Sequence, residues 1–396
     1  MDKSGAPPRR WLPVALIMFG VGWGANQFAS LLGLYTERLH LGGGAAQAMF
    51  GVYALGLVPG LALGGPLSDR FGRRRVALPS AGASAPVTLV LMAGSAVPEL
   101  LYAGRLLAGV VTGAVLAAGT AWVKELAPGP GVRATALAVS AGFGAGPLAA
   151  ALVAQWAPSP LVTAYVPHLL IMAVTVPAAL RVPDVRHVRP APDGRAPDGR
   201  AADGRGLRLG GLRRPAFRRA IAPVAIWTFA APTSAFALLP TVVPVEHAPI
   251  VHAGLITALT LGSGMAAQPV ARRLEARHPR LVARAGLLAV SAGLLAAALT
   301  VVLHEPALTA AAAVPLGLGY GFVLTYSLGE TARIAAPHEL AGLTAVAYAV
   351  IYAGMFTPLL LTVLARAVPL ALLLTVLSGL AALCLLRATR QAVLRS

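Results

Sequence analysis

Asp69 is the only acid in the stretch GGPLSDRFGRRR, Gly64–Arg75, where it stands among Arg70, Arg73, Arg74 and Arg75. One carboxylate among four guanidiniums can hold an ion pair, but it has no second acid with which to share general acid–base work. Arg105 is the other charge that stands out, because it is the only cation well inside an apolar run. Glu37 and Glu330 lie near the ends of such runs and His168 near the start of one. No carboxylate sits in the middle of a run, so no proton-carrying residue is assigned. Cys384 is the only cysteine, which leaves no intramolecular disulfide and no cysteine-based metal site. There is no GxxxxGK[ST] phosphate loop. No catalytic residue, metal ion or cofactor is expected, and the chain does not read as an enzyme.

The elements that must position these residues are membrane spans. Mean hydropathy is +0.74, and only 12% of the 396 residues are charged, about half the 25% usual in a soluble domain. A span needs roughly 20 mostly apolar residues. Twelve candidates emerge: 11–35, 46–67, 76–96, 99–122, 134–156, 161–180, 219–244, 250–270, 281–303, 306–330, 340–364 and 369–386. The first run is too long for a signal-peptide core, so it reads as a retained helix. The net charge of +18 comes from short clusters between apolar runs. That pattern argues against a nucleic-acid-binding face, and no nucleic-acid partner is expected.

The arginines set the orientation. With the N-terminus in the cytoplasm, 29 of the 32 Lys and Arg fall in the inner loops and tails. Arg38 and Arg366 fall outside, and Arg105 lies within span 4. Both termini are therefore expected in the cytoplasm, with the chain multi-pass in the plasma membrane and monomeric. Residues 181–218 contain PDGRAPDGRAADGRG, whose Asp-Gly steps favour turns and bury nothing. They read as a flexible cytoplasmic linker between a six-helix bundle at 1–180 and another at 219–396. Internal echoes support two copies of one plan. GAVL from Gly113 precedes Pro128 by 15 residues and GFVL from Gly321 precedes Pro337 by 16, while PLSDR at 66–70 is echoed by PVARR at 269–273. Repeats of this kind are common in transporters, with the substrate site between them.

Gly65–Arg75 resembles the signature loop of the major facilitator superfamily, G-x-L-x-D-R-x-G-R-[RK]-[RK], and sits where that family has it. The resemblance covers the whole chain and implies an all-α membrane protein, with 12 transmembrane helices in two pseudo-symmetric six-helix bundles. It also implies a conformational latch of Asp69, Arg70 and Arg73, with Gly72 at the tight turn, closed in one state of the cycle and open in the other. If the prolines are aligned, Arg272 replaces Asp69 in the second copy, which suggests a single latch. Arg105 and Gly109 resemble the family's R-x-x-x-G motif on helix 4, whose arginine is linked to proton coupling. Gly142, Gly146 and Pro147 resemble the helix-5 antiporter motif of drug-exporting branches, with Ala150 and Ala151 in place of its closing glycines.

In that family helices 1, 4, 7 and 10 line the cavity. The candidates are Trp23, Asn26 and Gln27; Arg105 and Thr112; Trp227, Thr228 and Thr233; and Tyr320, Thr325 and Tyr326. They describe a mostly neutral, partly aromatic cavity. The expected activity is secondary active transport, with export of a small amphipathic drug or secondary metabolite by proton antiport and alternating access. The partners are a small-molecule substrate, protons and the lipid bilayer. The alternatives are an importer of a small organic solute on the same fold and a non-transporting receptor of the same fold.

Overall fold

The computed structural model describes residues 10–184, 215, 217–335 and 340–393. The 185–214 stretch, with the Asp-Gly repeat and most of the expected linker, lies outside the described residues, as does Pro337 of the second echo. Twelve described helices are long and apolar enough to cross a membrane. They are α1 Leu12–Arg38, α2 Gly44–Phe71, α3 Arg73–Ala93, α4 Glu99–Leu126, α5 Arg133–Trp156, α6 Pro160–Ala179, α7 Phe217–Val242, α8 Pro249–Arg277, α9 Pro279–Leu303, α10 Leu308–Ile334, α11 Gly342–Leu364 and α12 Leu370–Arg387. All twelve expected spans are present. Helices meet the demand that lipid makes on a backbone, since each N–H and C=O is paired within its own segment.

The arginine-rich stretch is more helical than the loop that its charge suggests. Asp69 and Arg70 belong to the last turn of α2, Arg73 opens α3, and the connection shrinks to Gly72. Gly72 has φ +105°, a region that side chains strain to reach, so glycine is required there. Its counterpart in the second copy, the α8–α9 turn, is equally short and passes through His278. The two turns share one face of the molecule with the other basic helix ends. We call this the basic face.

Glycines set how closely the helices cross. Gly109 and Gly113 of α4 lie against the carbonyls of Tyr53 and Leu57 on α2, while Gly56 and Gly60 of α2 lie against those of Leu106 and Val110 on α4. The second copy repeats the arrangement, with Gly317 and Gly321 of α10 against Thr260 and Gly264 of α8. The Gly113 and Gly321 echo thus marks two equivalent backbone crossings. Small residues matter here because lipid tails supply no hydrophobic drive between helices, so dispersion at close approach must hold them.

α1 and α7 are central: 78% of the most apolar stretch of each is buried, against 17% for α12. Both central helices are interrupted. In α1 the α-helix ends at Asn26 and a 3₁₀ turn spans Ala29–Leu31, while α7 contains a π-turn at Ser234–Leu238. A third interruption, a 3₁₀ turn at Gly354–Phe356, breaks α11. Among the described residues, hydrogen bonds between α1–α6 and α7–α12 lie near the face opposite the basic one. Gln47 Nε2 donates to Ala237 O (2.7 Å), and the Ile250 and Val251 amides donate to Gln155 Oε1 (3.1 and 3.4 Å).

A Cβ at Gly113 would lie 2.5 Å from both Leu57 O and Leu61 N, whereas one at Gly82 meets nothing within 4 Å. Overpacking of this kind costs about 1–3 kcal/mol. Gly113→Ala should lower the thermal midpoint of the purified protein by several degrees and Gly82→Ala should not, as read by tryptophan fluorescence in detergent.

Candidate functional site

The basic-face cluster is built from three helix ends. Arg73 pairs with Asp69 one turn back and with Glu125 Oε1 at the end of α4 (2.9 Å), and its Nη1 also donates to Ser68 Oγ (2.8 Å). Asp69 is the exposed member, its side chain 65% accessible against 13% for Arg73. Arg73 is therefore a fixed anchor, and Asp69 is the acid free to change partner at little cost, since exposed pairs contribute only about 0–1 kcal/mol. Asp184 Oδ1 accepts the Arg74 amide (3.2 Å) at the start of α3, a favourable place for an anion. A Cβ on Gly72 would come within 2.6 Å of Asp184 Oδ2. Arg70 lies over the Phe71 ring at 5.1 Å.

The second copy has an ion-pair cluster of its own at this face. Arg272 does replace Asp69, and it donates to Gln268 (3.0 Å). One helical turn further on, Glu275 pairs with Arg333 of α10, which also holds Glu330. A shift of three residues keeps the acid on the same helix face. Each copy thus ties its second helix to its fourth through one arginine and two carboxylates.

Arg105 is fully buried on α4. Its Nη1 donates to Ala25 O (3.0 Å), one residue before the α-helical part of α1 ends. Its guanidinium lies over Tyr53 (4.5 Å), Phe28 (4.6 Å) and Phe50 (5.7 Å). Cation–π contacts contribute about 0.5–2 kcal/mol each, which offsets part of a desolvation penalty of several kcal/mol. Nε and Nη2 are shut away from solvent without a hydrogen-bond partner, as are both amide atoms of Gln27.

A small cavity lies where the two bundles meet. Seven aromatic side chains surround it: Phe50 and Tyr53 of α2, Phe143 of α5, Phe229 and Phe236 of α7, Tyr320 of α10 and Tyr352 of α11. Leu261, Met265 and Met355 fill gaps, and polar groups come from Asn26, Ser140 and the three tyrosines. Phe229 stacks on Tyr352 (4.7 Å), and Phe50 meets Phe236 edge to face (5.7 Å). Asn26, Phe236 and Met355 come from the three helix interruptions. The space is about 70 Å³, room for a few waters and well below the roughly 300 Å³ at which small-ligand sites begin. Phe236 also borders a second cavity of about 360 Å³ between α1, α7 and α8. This second cavity lies toward the opposite face, and Phe236 is the side chain common to both linings.

Of the residues expected to line the cavity, Asn26 and Tyr320 do so. Trp23 instead packs on α5, its backbone against Gly142 and Gly146. Those glycines, followed by Pro147, thus act as a seat for α1. Gln27, Thr112, Trp227 and Thr228 are buried away from the cavity lining. Thr233 and Thr325 donate to carbonyls of their own helices, Phe229 O (2.6 Å) and Gly321 O (2.9 Å). Tyr326 lines a different cavity, at the basic face, because six residues of helix carry it about 9 Å along the axis from Tyr320. His168 is structural, held by Thr88 (2.8 Å) and Ser84 (3.1 Å). The missed lining comes from α2, α5, α7, α8 and α11. Its signal in the sequence is aromatic residues inside spans of a chain only 6% aromatic.

The chain matches the sequence model of the Major Facilitator Superfamily over residues 14–358. It is 35% identical over 149 residues to an uncharacterized MFS-type transporter of Bacillus subtilis (strain 168), a match covering 36% of each chain. It is 38% identical over 122 residues to the 3-(3-hydroxy-phenyl)propionate transporter of Escherichia coli (strain K12), covering 28% of this chain and 29% of that one. The matches thus span about a third of these curated relatives. Among solved structures, a nucleoside transporter superposes with a TM-score of 0.73 at 13% identity over 96% of this chain and 99% of that one. A POT family transporter in complex with 5-aminolevulinic acid superposes at 0.76 and 11% identity over 99% and 98%. At these identities the likeness is one of fold.

A buried guanidinium with two unpartnered donors costs the resting fold more than an apolar side chain of similar length. Arg105→Met should therefore leave the thermal midpoint in detergent at or above that of the unsubstituted protein. A fall of several degrees would mean that the cation–π contacts outweigh the desolvation penalty.

Proposed function

The chain belongs to the Major Facilitator Superfamily, and we propose that it is a secondary active transporter that exports a small amphipathic, ring-bearing organic molecule by proton antiport and alternating access. Membership makes it a multi-pass membrane transporter; substrate class, direction and coupling are our reading. The observation that carries the substrate class is the wall of seven aromatic rings around the central cavity, with Asn26, Ser140 and the tyrosine hydroxyls as its polar groups. Such a lining rewards a flat apolar ring with one or two polar groups.

At about 70 Å³ the cavity must widen before it can hold such a molecule. In our reading, residues 1–180 and 219–396 rock about it as two bundles, with 181–218 as the connection. The Phe50–Phe236 contact parts toward the opposite face, and Asp69 exchanges partners at the basic face while Arg70, Gly72 and Arg73 hold the turn. In the same reading the excess of arginine puts the basic face in the cytoplasm with both termini inside, and the protein is a monomer of the plasma membrane. Arg105, adjoining the cavity wall through Tyr53, is the candidate for coupling to protons. Export rests on the resemblance of Gly142, Gly146 and Pro147 to the antiporter motif.

A second reading, import of a small organic acid, is favoured by the same arginine. Its Nε and Nη2 lack partners, and a carboxylate is what a guanidinium fork binds best. One relative is named for transport of such an aromatic carboxylate.

Accumulation of fluorescent amphipathic dyes and aromatic acids in an efflux-deficient bacterial host tests both readings. Export predicts lower dye accumulation that needs Asp69 and is abolished by an uncoupler. Phe229→Ala should weaken that transport roughly 3–10-fold through lost stacking. Raised accumulation of an aromatic acid, lost in Arg105→Met, would replace export with import.

A further inference from the structure

Among the described residues, a concentration of unneutralised charge lies away from the central cavity, in a pocket of about 770 Å³ at the basic face of the second bundle. Arg218 and Arg219 enter it from α7, Arg277, Arg280 and Arg284 from either side of the α8–α9 turn, and Arg333 and Arg387 from the ends of α10 and α12. Glu330 is the only carboxylate in the lining, and it is already paired with Arg333, which also holds Glu275. The other six arginines have no ion-pair partner among the described residues. Arg284 Nε is shut off from solvent with no hydrogen-bond partner, an arrangement that costs free energy until an acceptor arrives. Arginines that serve only to orient a membrane protein can spread outward into the headgroup layer. The arginines here converge from five helices on one open pocket, of a size typical for small ligands.

We propose that this pocket is a binding site for a phosphate-bearing anion, separate from the transport site. Guanidinium forks match phosphate oxygens in pairs of charge-assisted hydrogen bonds, and basic pockets between helices at this membrane surface suit phospholipid headgroups. A lipid headgroup and a free phosphate present the same chemistry. The pocket mouth lies at the helix ends, where either can reach it. Bound anion ties α7, α9, α10 and α12 together at their basic-face ends.

The test uses the full chain, unsubstituted and as two variants of equal charge loss, Arg280→Gln with Arg284→Gln and, outside the pocket, Arg75→Gln with Arg133→Gln. Each is reconstituted in phosphatidylcholine with or without phosphatidylglycerol, then extracted and examined by native mass spectrometry for retained lipid. In parallel, delipidated protein is titrated with inorganic phosphate by calorimetry. The site predicts retained phosphatidylglycerol or saturable phosphate binding, roughly tenfold weaker in the pocket variant and unchanged in the control. Lipid retention without phosphate binding assigns a headgroup, and phosphate binding without lipid enrichment assigns the free anion. Equal loss in both variants, no loss in the pocket variant, or no binding of either anion overturns the proposal. Should Arg280→Gln with Arg284→Gln fail to fold, Arg280→Lys with Arg284→Lys keeps the charge and removes the fork, and the same weakening in direction is required of it.

Discussion

Backbone laid directly on backbone at glycine crossings is the contact on which the rest of this molecule depends. In lipid there is no hydrophobic drive to press one apolar helix on another, so association rests on dispersion, and dispersion falls steeply with distance. Gly56, Gly60, Gly109 and Gly113 bring α2 and α4 within carbonyl contact; Gly264, Gly317 and Gly321 do so for α8 and α10; Gly142 and Gly146 seat α1 on α5. Aromatic residues of those helices are thereby delivered to one place. Tyr53 precedes Gly56 by three residues, Tyr320 precedes Gly321 by one, and Phe143 follows Gly142 directly. The glycines that hold the crossings and the rings that wall the cavity are neighbours in the chain.

Helices this tightly crossed leave little room for a site, and the room comes from irregularity. Three of the helix interruptions, at Ala29–Leu31 in α1, Ser234–Leu238 in α7 and Gly354–Phe356 in α11, each place one lining residue at the cavity. A regular helix directs side chains on a fixed period and pairs its carbonyls internally. A turn of 3₁₀ or π geometry changes both. In α1 the break leaves Ala25 O as an acceptor for Arg105. The most costly residue in the membrane region is thus held by a defect in its neighbour and by three aromatic faces. Its remaining donors are kept dry, so stability and function pull apart at this position.

Charge acts at the other end of the same helices. Arg73 and Arg333 each gather two carboxylates and bind the second helix of a bundle to its fourth. The pattern is common to both copies although the residues are not aligned, since the carboxylates come from different positions on the helices concerned. What differs between the copies is the surplus: the second bundle carries six further arginines around one pocket, whereas the described basic-face pocket of the first is lined by only two, Arg74 and Arg75, with Asp184.

The sequence by itself determined the class of fold, because hydropathy and charge act locally and add along the chain. Twelve apolar runs, the one-sided arginines, the turn at Gly72 and the paired glycines at 113 and 321 could all be read without coordinates, as could the burial problem posed by Arg105. Only the tertiary structure decided which face of each helix meets which neighbour. Trp23, Thr112, Trp227 and Thr228 have the right chemistry for a lining, but a rotation of the helix turns them into packing. Phe50, Phe229, Phe236 and Tyr352 look like ordinary apolar residues until three different helices bring them together. Asp69 and Arg70 read as loop because charge usually marks a loop, whereas α2 runs on to Phe71, its end set by Gly72. Contacts between residues far apart in the chain depend on helix rotation and on breaks such as those at Ala29–Leu31 and Ser234–Leu238, and neither leaves a period in the sequence.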